Sequence, residues 1–266
     1  MVPSHSIEKG SVVLHVAPAM TSDLDTHTEF AENGYLVIPD ALSAAEVDAM
    51  NESVDRDLEA FPRLWMQRGN DYSYSVSILL DDPLFDVSII NPVALPILRD
   101  LMGEDLYFEE HSVRIREPIS ESPPDPDWHR DIAHGADHPL YLRNLSVIYY
   151  LTDVDETTHC FSIVPESAEV KKSVPEHGDG SNAVDIHGPA GTAILFNAAN
   201  LHDARHRTTD YERRTIHIYY GRRGLPPLSL HTIFPDRLVN HPDPDTRALF
   251  DRPNEITERV RRGLSG

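Results

Sequence analysis

Leu106–Arg116, with the sequence LYFEEHSVRIR, is the first of five short segments in which β-branched and aromatic residues are concentrated. Clusters of proline, glycine and aspartate separate these segments. Runs of this length and composition, bounded by such clusters, predict β-strands. The other four predicted strands are Leu145–Leu151, Cys160–Val164, Thr192–Phe196 and Thr215–Tyr220. The chain from Leu106 onward is therefore predicted to be mainly β.

The residues before Leu106 predict helices instead. Ser43-Ala44-Ala45-Glu46 is a capping box, in which the serine and glutamate side chains satisfy backbone N–H groups at a helix start. Glycines at positions 34 and 103 are expected to end two other helices. The predicted elements are helices over Asp25–Asn33, from Ser43 onward and over Asn91–Met102, with a short strand over Tyr35–Pro39.

Short strands at this density, with helices on the N-terminal side, favour a mainly β fold with flanking α-helices. The architecture expected is the double-stranded β-helix, a cupin-like jelly roll, with the N-terminal helices packed on one sheet. We expect a single domain over residues 23–266 after a loose extension over residues 1–22. A C-terminal tail is expected from about residue 225, with a helix over Asn254–Gly263.

The composition restricts the partners. The 266 residues carry a net charge of −21, which repels phosphate backbones and anionic lipids, so neither nucleic acid nor a membrane is expected to bind. The single cysteine, Cys160, excludes an internal disulfide and a thiolate metal cluster. There is no signal-peptide pattern at the N-terminus and no run long enough to cross a membrane. We therefore expect a soluble, cytoplasmic protein, monomeric or homodimeric, with a small-molecule substrate.

The segment Trp128-His129-Arg130-Asp131 predicts a metal site. On a strand, residues two apart face the same way, so His129 and Asp131 can point into one cavity. An imidazole and a carboxylate are two ligands of the facial triad, which leaves three positions of an iron ion open. A His-x-Asp pair also occurs by chance at protein surfaces, so a third ligand is needed. His202 is the preferred candidate, and His206 and His217 are alternatives.

Arg213 follows 11 positions after His202, at the head of the predicted strand Thr215–Tyr220. A hairpin of this length would place Arg213 on the strand beside the one that carries His202. A dicarboxylate that chelates iron through a 2-oxo acid group needs a partner for its far carboxylate. Arginine supplies a permanently charged, bidentate partner for it, which lysine does not.

Together these segments resemble the phytanoyl-CoA dioxygenase family. Glu32–Ser43 is similar to the family's opening, and Trp128–Asp131 is similar to its iron motif. Gly191–Phe196, His202 and Arg213-Arg214 are similar to its closing block. The resemblance extends over roughly residues 25–222.

The resemblance implies a non-haem Fe(II)- and 2-oxoglutarate-dependent dioxygenase that consumes O₂ and releases succinate and CO₂. It implies that His129, Asp131 and His202 bind the iron and that Arg213 binds the far carboxylate of 2-oxoglutarate. Because Asp131 is retained, hydroxylation or another oxidation is expected rather than halogenation. The expected substrate is a small metabolite or natural-product intermediate with an unactivated C–H bond.

The chain departs from the family pattern at Ala204, where a serine that binds the co-substrate is common. Thr215 or a tyrosine is expected to supply the missing hydroxyl. On the strand before the iron motif, His111 shares a face with Val113 and Ile115. An apolar inner face with outward arginines is expected there, which would make His111 a contact of the co-substrate or substrate.

Two other functions fit parts of this pattern. A cupin-type metalloenzyme that does not use 2-oxoglutarate would keep the three metal ligands but would not need Arg213. A non-catalytic jelly-roll binding protein would contain His-x-Asp by chance. In each case the loop 168–190 and the segment 66–82 are expected to form walls of the site.

Overall fold

The computed structural model describes residues 23–69, 71–132, 142–166 and 180–264 of the chain. The strands are β1 Tyr35–Ile38, β2 Met66–Arg68, β3 Tyr72–Ser75, β4 Leu106–Arg116, β5 Asn144–Tyr150, β6 Cys160–Ile163, β7 Val184–Ile186, β8 Ala193–Asn197, β9 His202–Arg205 and β10 Arg213–Arg222. The α-helices are α1 Asp23–Asn33, α2 Ala44–Ala60, α3 Ile78–Asp81, α4 Asp86–Ile89, α5 Ala94–Met102, α6 Asp236–Val239, α7 Pro244–Ala248 and α8 Glu255–Leu264. Short 3₁₀ turns lie at Pro62–Leu64, Pro83–Phe85 and Gly103–Asp105.

Two antiparallel sheets form the framework. The larger has seven strands in the order β1-β8-β5-β10-β4-β3-β2, and the smaller has three in the order β7-β6-β9. Tyr150, Ile194 and Phe196 of the larger sheet pack with Phe161 and Ile163 of the smaller in one apolar cluster, so the sheets lie face to face. This confirms the predicted jelly-roll architecture of mainly β structure with flanking helices.

The helices cover the other face of the large sheet. Val47 and Met50 of α2 share a core with Val113 of β4 and with Ile216 and Ile218 of β10. Side chains alternate along a strand, so the residues between these apolar ones face the small sheet. One face of the large sheet is thus core, and the other is free to line a cavity.

Local signals in the sequence position the N-terminal elements. Ser43 and Glu46 form the predicted capping box, with the Ser43 backbone N–H donating to the Glu46 carboxylate at 2.7 Å. α1 ends at Gly34, whose φ of 73° favours glycine. A Cβ atom there would overlap the Asn200 side chain, whose amide donates to the Asn33 carbonyl at 3.1 Å. The end of α1 is thereby fixed to the turn that precedes β9.

Several elements differ from the predictions. β2 and β3 lie within the segment 66–82, and β7 lies within the predicted loop 168–190, of which residues 168–179 fall outside the described ranges. These strands are only three or four residues long, so the alternation in β3 and β7 is too short to distinguish a strand from a loop. The third predicted helix begins at Ala94 rather than Asn91, because the Asn91 side chain accepts from the Ala94 N–H and forms the preceding turn.

The segment after residue 225 contains three helices. The predicted C-terminal helix is confirmed as α8, and two short helices, α6 and α7, precede it. Phe234 and Phe250 of this segment pack against Phe108 of β4. The segment therefore belongs to the main core. No helix in the described ranges is both long and apolar enough to cross a lipid bilayer.

Candidate metal centre

His129 and His202 are held side by side by a single antiparallel bridge. The His129 N–H donates to the His202 carbonyl at 3.1 Å, and the His202 N–H donates to the His129 carbonyl at 3.0 Å. The two imidazole centroids are 4.6 Å apart. The sequence-based expectation of a strand through His129 and Asp131 is therefore corrected, because a bridge to the first residue of β9, followed by a bend at Asp131, does the positioning.

Asp131 completes a compact cluster. Its N–H donates to the Ala198 carbonyl at 3.0 Å. Its carboxylate lies 3.9 Å from His129 Nε2 and 3.6 Å from His202 Nε2. One ligand atom from each of the three residues lies within 4.8 Å of the other two, a spacing that fits one metal ion. Asp131 Oδ2 is buried and has no hydrogen-bond partner among the described residues, as expected of an atom reserved for a metal.

Backbone carbonyls orient both imidazoles. His129 Nδ1 lies 2.7 Å from the Asp127 carbonyl, and His202 Nδ1 lies 2.8 Å from the Asn200 carbonyl. A carbonyl only accepts, so each Nδ1 carries the proton and donates it. Each Nε2 then presents its lone pair to the cluster, which is the usual arrangement of metal-binding histidines. Burial lowers the pKa of His202, which favours the neutral, ligating form.

Arg130 points away from the cluster and holds the loop in place. Its guanidinium forms a buried ion pair with Glu166, with Nη2 2.6 Å from Oε1, and also donates to the Ala199 carbonyl at 2.6 Å. Both partners are nearly inaccessible to solvent. Since Arg130 lies between His129 and Asp131, this bidentate pair restrains both ligands.

The cluster opens into a cavity of about 380 Å³ between the two sheets. Successive side chains of β10 point alternately into the cavity and into the apolar core. Arg213, Thr215, His217 and Tyr219 face the cavity, whereas the residues between them face the helices. Phe161 and Phe196 pack beside His202, with ring centroids 5.6 Å and 4.9 Å from the imidazole. The metal site therefore has one apolar wall and one strongly polar wall.

Arg213 is buried in the polar wall, and no residue in the described ranges serves as its counter-ion. No described carboxylate forms an ion pair with it, and its Nε has no hydrogen-bond partner in the described ranges. Burial lowers its pKa, but the ordinary value for arginine is so high that the group stays charged. A buried, uncompensated cation is costly unless a ligand supplies the anion. Arg213 is thus suited to bind a carboxylate.

The position of Arg213 differs from the prediction in one respect. The spacing predicts that Arg213 lies on the strand next to the one carrying His202. Instead β10 pairs with β4 and β5 in the large sheet, and β9 pairs with β6 in the small sheet. Arg213 and His202 face the same cavity from opposite sheets.

The other predicted site residues have different positions. Thr215 lines the cavity, two residues from Arg213 on the same face of β10, and Ala204 lines it without a hydroxyl. The alternative ligands His206 and His217 also line the cavity but lie outside the three-residue cluster. His111 is not brought to the cavity, which corrects the expectation of a ligand contact. It lies in the core, with its ring against the edge of Phe85.

Burial of His111 leads to a prediction about stability. Neither ring nitrogen has a hydrogen-bond partner in the described part of the chain, and burial lowers the pKa to about 3. The unfolded state, with a pKa near 6.5, binds more protons, so stability falls as the pH drops from about 6.5 toward 3, by up to about 1.4 kcal/mol per pH unit.

We expect His111→Leu to be more stable than the wild type in acid and to have a shallower pH dependence of the free energy of unfolding. Urea unfolding at pH 7 and pH 5 measures both quantities. If the free energy of unfolding falls by the same amount from pH 7 to pH 5 in both proteins, His111 is not buried in its neutral form.

The sequence did not identify the arginines on β4. Arg114 and Arg116 line the cavity, and Val113 and Ile115 lie in the core with the helices. The alternation along β4 shows that either the arginines or the apolar residues face the cavity. It cannot show which face of the strand the helices cover. The expectation of an apolar inner face is therefore wrong, because the helix-covered face is the one that needs apolar residues.

A second cluster, of Cys160, Asp185 and His187, has similar spacing but different chemistry. The Asp185 carboxylate accepts from Ser162 and Arg205 at one oxygen and from Arg207 at the other, each at 2.6 Å. These arginines already neutralise the carboxylate. The cluster is therefore an ion-pair network that joins β7 to β9.

Comparison with known proteins agrees with this geometry. The family model for phytanoyl-CoA dioxygenase matches residues 30–215, which include the bridge, Asp131 and Arg213. The chain belongs to the phytanoyl-CoA dioxygenase family. This confirms the family resemblance found in the sequence and the assignment to non-haem iron, 2-oxoglutarate-dependent dioxygenases. Comparison with curated protein sequences gave no match.

Solved structures share the fold at low sequence identity. HygX from Streptomyces hygroscopicus, crystallised with nickel and 2-oxoglutarate, has a TM-score of 0.64 and 18% identity over 79% of this chain and 90% of HygX. The epimerase SnoN from nogalamycin biosynthesis has a TM-score of 0.62 and 20% identity over 78% of this chain and 86% of SnoN. The carbocyclase SnoK from the same biosynthesis has a TM-score of 0.60 and 21% identity over 76% of this chain and 84% of SnoK.

Proposed function

We propose that this family member binds Fe(II) through His129, Asp131 and His202 and uses 2-oxoglutarate and O₂ to hydroxylate an unactivated C–H bond of a small metabolite or natural-product intermediate. The observation that carries the proposal is the combination of two orphaned groups in one cavity. A cluster with two free Nε2 atoms and an unpartnered carboxylate oxygen faces the same space as a buried arginine without a counter-ion among the described residues.

The donor set fits the iron and its co-substrate. Two neutral imidazoles and one carboxylate are the ligands of the facial triad, which leaves positions for a bidentate 2-oxo acid. In this proposal Arg213 binds the far carboxylate of 2-oxoglutarate, and the Thr215 hydroxyl adds a hydrogen bond. His217 Nε2 lies 3.1 Å from Thr215 Oγ1, and in the tautomer that carries a proton on Nε2 it donates to this oxygen and leaves the hydroxyl proton for the carboxylate.

The remaining residues prepare the site for the reaction. Bound iron and 2-oxoglutarate would supply the oxygen-activating chemistry. Phe161 and Phe196 shield His202 and exclude water from that side of the centre. Arg130 and Glu166 keep His129 and Asp131 at a fixed separation. The related structures include an epimerase and a carbocyclase, so the fate of the substrate carbon must be measured directly.

A titration tests the proposal before the substrate is known. Protein loaded with Fe(II) without oxygen is titrated with 2-oxoglutarate, and the visible charge-transfer band of the iron–2-oxo acid chelate is followed. Glutarate, which lacks the 2-oxo group, should give no band. Pyruvate, which lacks the far carboxylate, should give a band only at much higher concentration, because Arg213 has nothing to bind.

Each alternative function predicts a different outcome. Iron binding without a band would indicate a metalloenzyme that does not use 2-oxoglutarate. Failure to bind iron would indicate a non-catalytic jelly roll. With the band established, the mass of the product separates hydroxylation, which adds one oxygen atom, from an epimerisation, which leaves the mass unchanged.

A further inference from the structure

We infer that the cavity contains a second anion site, built by Arg114 and Tyr219, which holds a carboxylate or phosphate group of the organic substrate. This inference rests on the proposed function and assigns the part of the cavity that 2-oxoglutarate does not use. It concerns residues on β4 and β10 for which the sequence suggested no role.

The two sites use different positions along the same cavity wall. Arg213 begins the cavity-facing row of β10 and Tyr219 ends it. Tyr219 comes six positions after Arg213, which is about 20 Å of extended chain. Arg114 is paired with Thr215 across β4 and β10, and its guanidinium reaches along the sheet to the Ser112 and Tyr219 hydroxyls. The Arg114–Tyr219 pair is therefore set apart from Arg213 along the sheet, within the same cavity.

The hydrogen bonds of Arg114 leave several of its guanidinium N–H groups available. Nε donates to Ser112 Oγ and Nη2 donates to the Tyr219 hydroxyl, both at 3.1 Å. No described residue accepts from Nη1. The nearest carboxylate oxygen, Oε1 of Glu110, is 3.9 Å from Nη2, and the other Glu110 oxygen is hydrogen-bonded by Ser229. A guanidinium held in this way can still donate two hydrogen bonds to a ligand.

Tyr219 supplies a further donor at the same place. Its oxygen accepts from Arg114, so its own O–H proton remains available. Burial raises the pKa of Tyr219 to about 12, with Arg114 lowering it and Asp131 raising it, so the phenol is protonated at neutral pH. An arginine N–H pair beside a phenol O–H provides the donors that an anionic oxygen group needs.

The other cavity arginines are less suited to this role. Arg116 is 2.7 Å from the Asp71 carboxylate and stacks 4.3 Å above the Tyr72 ring, so its charge is balanced and its position fixed. Arg68 lines the rim but is exposed, where ion pairs contribute little. Arg114 is mostly buried, the nearest carboxylate among the described residues is 3.9 Å away, and its guanidinium is hydrogen-bonded to the Tyr219 hydroxyl.

Matched small probes test the site in the loaded protein. Calorimetry on the anaerobic Fe(II)–2-oxoglutarate complex compares benzoate and phenyl phosphate with neutral benzamide. We expect at least one anion to bind about tenfold or more tightly than benzamide, as a charge-assisted site requires. The preferred anion distinguishes a carboxylate substrate from a phosphate substrate. The charge-transfer band must persist, which shows that 2-oxoglutarate remains bound.

Variants assign the preference to Arg114. Arg114→Met should remove the preference for the anion over benzamide, and Arg114→Lys should keep part of it. Tyr219→Phe should weaken the preference, because the guanidinium remains but the phenol donor is lost. Arg56→Met, on the exposed face of α2, is the matched control and should behave as the wild type. All variants should retain the 2-oxoglutarate band, which separates this test from that of the proposed function.

Three results would overturn the inference. The first is a wild type with no anion preference, including the case in which no probe binds. The second is displacement of 2-oxoglutarate by the anion. The third is loss of the 2-oxoglutarate band in folded Arg114→Lys, which would assign Arg114 to the co-substrate instead.

Discussion

Replacement of Arg213 by leucine is expected to weaken 2-oxoglutarate binding by roughly a hundredfold or more, because removing one partner of a buried charge pair costs about 2–5 kcal/mol. The measurement is the anaerobic Fe(II)–2-oxoglutarate titration, read as the concentration that gives half of the charge-transfer band. Iron binding itself should be unchanged, since Arg213 is not part of the three-residue metal cluster. Arg213→Lys should be intermediate, because it keeps the charge but not the planar fork.

Arg214→Leu is the matched control for Arg213→Leu. Arg214 is the next residue of β10 but faces away from the cavity, where it pairs with Asp55 at 2.7 Å and with Glu212 at 2.5 Å. The Arg214→Leu protein should bind 2-oxoglutarate as the wild type does. An equal loss of 2-oxoglutarate affinity in both variants would show a general effect on β10 rather than a contact with the co-substrate.

The Arg213 variant also has an expected effect on stability. Without a ligand, the wild type buries a cation that has no counter-ion in the described part of the chain. Leucine at this position removes that desolvation cost, so the ligand-free variant should melt no lower than the wild type. A large drop in Tm would instead indicate that Arg213 has a structural role.

The unsatisfied buried groups locate the site independently of its motifs. Buried polar atoms in folded proteins are almost always hydrogen-bonded. Here Asp131 Oδ2 and Arg213 Nε are both buried without a partner in the described ranges, and both face one cavity. His111 also has unpartnered ring nitrogens among the described residues, but it lies in the core and does not line the cavity. An orphaned group therefore indicates a ligand only where it borders a cavity.

The sequence predicted the parts of the site that depend on residue type and spacing. His129, Asp131 and His202 come together in the structure, and Arg213 faces them. These residues are recognisable because few side chains can ligate iron or bind a carboxylate in two places at once. Their roles as ligands remain predictions until iron and 2-oxoglutarate binding are measured.

The sequence could not show which sheet each residue belongs to or which face the helices cover. β9 and β7 are only four and three residues long, so pairing with β6 rather than local propensity makes them strands. On β4 the alternation fits either face equally well. The error that placed His111 in the site and omitted Arg114 has this cause, because the decision depends on contacts with α-helices distant in the chain.

His202→Ala is expected to abolish tight iron binding and any 2-oxoglutarate-dependent turnover, a larger effect than that of Arg213→Leu. The facial triad has three protein ligands, and an alanine leaves a buried carboxylate beside one imidazole. Changing a residue that only supports a metal ligand typically costs 10- to 100-fold in affinity or activity, so loss of a direct ligand should cost more than about 100-fold. Anaerobic Fe(II) titration and succinate formation measure the two effects.

His206→Ala is the matched control for His202→Ala, because it removes an imidazole from the same cavity and tests the alternative third ligand. Its ring is 6.1 Å from that of His159 and lies outside the metal cluster, so iron affinity should be close to that of the wild type. Loss of iron binding in His206→Ala but not in His202→Ala would reverse the assignment. Because the backbone bridge between His129 and His202 uses only main-chain atoms, alanine at position 202 can keep it, and the fold should persist without the metal.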